Sequence, residues 1–101
     1  MIVYSVTVAI DDSVEQDWIQ WMKEVHIPDV MNTGMFVDFR FCKVFPHQPE
    51  DPISYNITYR CKDMETYEAY QRDHAPALQE DHTKRYSGKF AAFRTILEQI
   101  A

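Results

Sequence analysis

Apolar and polar residues alternate along Ile2–Ile10: Ile2, Tyr4, Val6, Val8 and Ile10 fall on one side, Val3, Ser5, Thr7 and Ala9 on the other. This is the pattern of a strand with one buried face. After Asp11, Asp12 and Ser13 the period lengthens. Val14, Trp18, Trp21, Met22 and Val25 recur at helical spacing, while Glu15, Gln16, Asp17, Gln20, Lys23 and Glu24 fall largely outside that stripe. Either Asp12 with Glu15 or Ser13 with Gln16 has the spacing of a reciprocal cap. Pro28 lacks an amide donor and biases Ile27 away from helical geometry, so the helix is expected to stop or kink near His26. Pro28 suits the first turn of a new short helix, with Asp29 near its positive end, and Gly34 is expected to close it as a left-handed cap.

Residues 35–45 alternate again, with Met35, Val37, Phe39, Phe41 and Phe45 against Phe36, Asp38, Arg40, Cys42 and Val44. The loop at 46–52 holds three prolines, and a third strand follows over residues 53–61. Its faces are Ile53, Tyr55, Ile57, Tyr59 and Cys61 against Ser54, Asn56, Thr58 and Arg60. Asp63 caps a second helical region that Pro76 interrupts and Gly88 ends, and residues 90–100 form the last strand. Residues 12–26 and 63–74 thus match, each closing on a histidine two places before a proline. The order β-α-β-β-α-β predicts an α+β, ferredoxin-like fold. Its helices should cover one face of a four-stranded antiparallel sheet of order 4-1-3-2, leaving the other face bare. The length of 101 residues fits a single domain over 1–101.

The bare face is where chemistry is expected. It should carry Asp38, Arg40, Asn56 and Arg60, joined by Arg94 if Phe93 and Leu97 turn toward the helices. Arg40, Arg60 and Arg94 would fork the oxygens of a small anionic or carbonyl-bearing molecule, with Asn56 and Asp38 orienting it. The competing reading is a solvated face with cross-strand charge pairs, Asp38 with Arg60 among them. Phe36, Val44, Phe90 and Ile96 would share that face, and burying them predicts a homodimer packed sheet to sheet. Of the histidines, His26 is the candidate catalytic residue, because an imidazole titrates near neutral pH. The structural alternative for His26 and His74 is to bond the carbonyls freed by the following prolines. His82 lies on the Leu78/Tyr86 row and reads as a core or boundary residue, and His47 as an exposed loop residue.

Composition narrows the partners. The net charge of −6 argues against nucleic acid and against an anionic membrane surface. No metal-ligand spacing stands out, glycine is too scarce for a phosphate-cradling loop, and no cofactor is implied. Cys42 and Cys61 fall on opposite strand faces, with Cys42 opposite Asn56, which argues against a disulfide. The N-terminus alternates and lacks a basic leader, so a cytoplasmic location is expected.

His26-Ile27-Pro28-Asp29-Val30-Met31-Asn32-Thr33-Gly34, His74-Ala75-Pro76-Ala77-Leu78, Lys84-Arg85-Tyr86 and the run from Phe90 to Glu98 carry a resemblance over essentially the whole chain. It is to a family of small bacterial proteins known only as a domain of unknown function. The resemblance implies a ferredoxin-like fold of the dimeric α/β-barrel type and no assigned activity. The wider dimeric-barrel group, which includes cofactor-independent monooxygenases, isomerases, haem enzymes and ligand-sensing domains, is similar in architecture alone. Two functions stay open: a homodimeric small-molecule-binding protein or enzyme using the enclosed sheet face, and a non-enzymatic interaction protein whose sheet face serves only for dimerisation.

Overall fold

The computed structural model describes residues 1–101. Strands β1 (Ile2–Ile10), β2 (Asp38–Lys43), β3 (Ser54–Cys61) and β4 (Phe90–Glu98) form one antiparallel sheet in the order β2-β3-β1-β4. This is the expected order read from its opposite edge. The first crossover holds α1 (Glu15–Trp21) and α2 (Ile27–Met31); the second holds α3 (Met64–Asp73) and α4 (Ala75–Tyr86). The architecture is the α+β, ferredoxin-like one that the alternating patterns predict.

The core lies between helices and sheet. Tyr4, Val8 and Ile10 of β1 and Tyr55, Ile57, Tyr59 and Cys61 of β3 are buried there against Trp18, Met22, Ile27, Val30, Tyr70, Ala75 and Tyr86. The open side of β3 carries Ser54, Asn56, Thr58 and Arg60, so its two-residue alternation is complete. Asp63 accepts the Thr66 amide at 2.9 Å and starts α3 as expected. Gly34 and Gly88 both take the left-handed conformation, φ 76° and 75°, that ends a helix without strain.

Three expectations change. Neither reciprocal cap forms before α1; the Asp11 carboxylate accepts the Ser13 amide at 2.9 Å and starts a 3₁₀ turn at Asp12–Val14. Near His26, where the sequence predicts a stop or a kink, the helix is disturbed without stopping, and Ile27 is not driven out of helical geometry. Residues Met22–His26 form a π turn in which the Ile27 amide bonds the Met22 carbonyl, five residues back. Pro28 can make no such bond, and in an ordinary helix its ring would strike the Glu24 carbonyl. Widening the helix by one residue accommodates that ring, and Ile27 stays helical at φ −62°, ψ −44°. The second proline is handled differently, since His74 leaves helical geometry (φ −125°, ψ −41°) and separates α3 from α4.

The third change concerns strand faces. β2 begins only at Asp38, and Phe36 turns into the core beside Tyr70, with ring centroids 4.7 Å apart. Phe36 is therefore not on the bare face, because the chain is not yet extended there and alternation cannot be counted back through it. In β4 the pairings Tyr4 to Ile96, Val6 to Arg94 and Ile10 to Phe90 put Phe90, Arg94 and Ile96 on the helix side. Phe93 and Leu97 take the open side. The two faces of β4 are similar in apolar content, so register with β1 decides the matter.

Candidate functional site

A small cavity of about 50 Å³ lies between the helices and the sheet. Val6, Val8 and Ile57 line it from the sheet, Met22 and Val30 from the first crossover, and Leu78, Gln79 and Thr83 from α4. Set into this mostly apolar wall are His26, His82, Arg94 and the rings of Tyr4, Tyr59 and Tyr70.

His82 is held in one protonation form. The Trp18 Nε1–H donates to His82 Nε2 at 2.9 Å. An indole nitrogen only donates, so Nε2 must carry a lone pair and the neutral ring keeps its proton on Nδ1. Burial pushes the His82 pKa down to about 4, and the charge of Arg94, or of His26 when protonated, presses the same way. Phe90 meets the ring edge-on, 4.4 Å between centroids.

His26 reaches the cavity because of the π turn. An uninterrupted helix would keep Val25 on the inward stripe, yet Val25 is 42% exposed and Ile27 only 2%. The extra residue in the turn rotates the inward direction from Val25 to His26 and Ile27. His26 stacks on Trp21 at 5.2 Å and meets His82 edge-on at 5.8 Å. Burial lowers its pKa, opposed by Asp29 and Asp81 and assisted by Arg94. Both imidazoles are therefore neutral at pH 7.

The tyrosines add hydroxyl groups. Arg94 Nε donates to the Tyr4 oxygen at 3.0 Å. Burial raises the pKa of both Tyr59 and Tyr70, first among its causes, so both remain phenols. The hydroxyls of Tyr55 and Tyr86 are directed elsewhere, donating to Glu15 at 2.6 Å and to Asp17 at 2.7 Å.

The residues expected to form one ligand patch are divided between two faces. Asp38, Arg40, Asn56 and Arg60 lie on the open face, and Arg94 lies on the other, against the cavity. Arg60 clasps Asp38, with Nε 2.8 Å from Oδ1, and reaches Gln99 at 3.3 Å. That bridge holds the Asp38 carboxyl below the usual range. The Asn56 amide is shared by the hydroxyls of Ser5 and Thr7 at 3.0 and 3.1 Å. Most of the polar capacity of that face is thus spent within the sheet. Cys42 and Cys61 sit on opposite faces, one exposed and one buried.

His74 stays outside the cavity, stacked on the far side of Tyr70 at 6.3 Å. The repeated His-x-Pro motif therefore supplies one site histidine, not two. His82, expected on the row joining Leu78 to Tyr86 as a core or boundary residue, is buried there and also lines the cavity.

Solved structures share this fold. HapK from Hahella chejuensis superposes with a TM-score of 0.75 at 14% identity, covering 100% of this chain and 94% of that one. An ethyl tert-butyl ether d (ethd) family protein from Bacillus halodurans c-125 gives 0.72 at 16% identity, with 99% and 100% covered. A dimeric ferredoxin-like protein from an uncultured marine organism gives 0.71 at 13% identity, with 100% and 96% covered. At such identities the likeness is one of fold. No curated protein matches the chain. A family model described as Domain of unknown function (DUF4286) matches residues 1–100, and the chain belongs to that family.

Proposed function

We propose that the protein is a homodimer that binds a small molecule, with the two tasks assigned to opposite faces of the sheet. The helix-side cavity takes the ligand, and the open face is the dimer surface. One observation carries the first part: two imidazoles, His26 and His82, are held neutral side by side in an otherwise largely apolar cavity. Packing alone does not call for such a pair, since apolar side chains would fill the same space without the cost of burying ring nitrogens. Polar groups gathered in an apolar concavity are the usual make-up of a ligand site.

The open face supports the second part. Phe93, 64% exposed, stands opposite Thr7, and Leu97 stands opposite Val3. The small side chains of Ser5, Thr7, Ala9 and Ala91 around them allow a second sheet to pack at the usual ~10 Å. The similar structure from a marine organism is itself described as dimeric. On this reading Asp38, Arg40, Asn56 and Arg60 belong to the subunit interface.

Native mass spectrometry of freshly purified protein tests both parts. A dimer carrying a retained small mass is expected. A monomer at micromolar concentration would remove the dimer. A dimer that neither retains nor takes up any small molecule would favour the interaction-protein reading.

A further inference from the structure

We propose that the cavity holds the carboxylate of a small organic acid whose apolar body lies against Val6, Val8 and Ile57. This rests on the preceding reading that the cavity is the ligand site, and it names the ligand class.

His82 is 9% exposed, and its Nε2 is occupied by Trp18, so its Nδ1–H is unspent. The Tyr4 oxygen accepts from Arg94 Nε, yet its own hydrogen has no acceptor in the protein, and neither have the hydroxyl hydrogens of Tyr59 and Tyr70. All three tyrosines are buried. The two terminal nitrogens of Arg94 make no hydrogen bond either, leaving the fork free to donate. No side-chain nitrogen or oxygen sealed from solvent lacks a partner. His82 Nδ1 and the Tyr59 and Tyr70 hydroxyls are therefore not sealed off, and all five of these side chains line the cavity.

Negative charge is absent from the same wall. No carboxylate lines it, and Arg94 is its charged side chain. Neutral His26 offers one lone pair, while Gln79 and Thr83 can turn either way. Water can satisfy these hydrogens but leaves the Arg94 charge without a counter-charge in the cavity. A carboxylate accepts about four hydrogen bonds and donates none. It also meets the Arg94 guanidinium with opposite charge. An ammonium would meet the like charge of Arg94, and an alcohol would leave that charge unmatched.

The test is a titration of the unaltered 101-residue chain at pH 7 with benzoate and with benzyl alcohol, which share a ring and differ in charge and acceptor count. Binding is followed by the histidine ring ¹H–¹⁵N resonances. Benzoate is expected to bind roughly tenfold to a hundredfold more tightly and to move the His82 Nδ1 signal. Arg94→Gln, at an exposed position, should lower benzoate affinity about tenfold while leaving benzyl alcohol unchanged. Tyr70→Phe, which keeps the ring, should lower it in the same sense. If benzyl alcohol binds as tightly as benzoate and moves the same signals, the acid is overturned and the cavity remains a ligand site. If neither compound moves the His26 or His82 signals, both the acid and the cavity reading fall.

Discussion

Trp18 Nε1 and His82 Nε2 lie 2.9 Å apart although 64 positions separate them in the chain. This bond ties α1 to α4 across the top of the core. It also sets which nitrogen of His82 carries the proton, and so what the cavity presents to a ligand. One contact thereby joins the packing of the two crossovers to the chemistry between them.

A pH dependence follows from the environment of His82. Its folded pKa of about 4 lies below the ordinary value of 6.5, chiefly through burial. Between those values the unfolded chain binds a proton that the folded chain refuses. This contribution to stability is complete above pH ~6.5 and is lost as pH falls toward 4, roughly 3 kcal/mol in all. His26, shifted the same way, adds to the loss. A ¹⁵N titration should find His82 still neutral at pH ~5.5, and a midpoint near the unperturbed ~6.5 would contradict this account.

Trp18→Phe keeps an aromatic ring in the core and deletes the donor. His82 Nε2 is then buried without a partner, which costs about 1–3 kcal/mol in urea unfolding. The same change frees the ring to exchange tautomers, so ¹⁵N shifts should move from a pure Nδ1–H form to a mixture. A variant that keeps the pure form would show that something other than the indole fixes it.

Strand faces were legible wherever polar and apolar residues strictly alternate. In β3 that pattern alone separates Tyr55, Ile57, Tyr59 and Cys61 from Ser54, Asn56, Thr58 and Arg60. In β4 it does not, since Phe93 and Leu97 oppose Phe90 and Ile96, and only register with β1 sends Arg94 inward. The site depended on two facts that alternation does not carry. One is the inward face of β4; the other is the π turn, which substitutes His26 for Val25. The pairing of His82 with Trp18 was likewise invisible, because nothing local relates residues in different crossovers. Pro28 marked where the helix would be disturbed, but not whether it would break or widen.

The phase shift at the π turn can be read by substitution. Val25→Lys should change stability by less than about 0.5 kcal/mol, since the side chain already faces solvent. Ile27→Ala should cost about 2–5 kcal/mol, as for other fully buried isoleucines. Denaturant midpoints of the two variants separate the geometries. An uninterrupted helix would keep Val25 inward and make Val25→Lys the damaging change.

Phe93 gives access to the proposed interface without touching the core. It projects from the open face at 64% exposure, and its strand neighbours Ala92 and Arg94 point the other way. Phe93→Lys would place a charge at the centre of a sheet-to-sheet contact, where each buried aromatic contributes much of the binding energy. Two such lysines, one per subunit, would also repel across the symmetry axis. Light scattering after size exclusion should show a dimer for the unaltered protein and a monomer for the variant. The variant's far-ultraviolet circular dichroism should stay unchanged, because an exposed substitution leaves the fold intact. If the variant remains dimeric with its spectrum intact, the subunits meet elsewhere, and the outer edge of β2, which pairs only with β3, becomes the surface to examine.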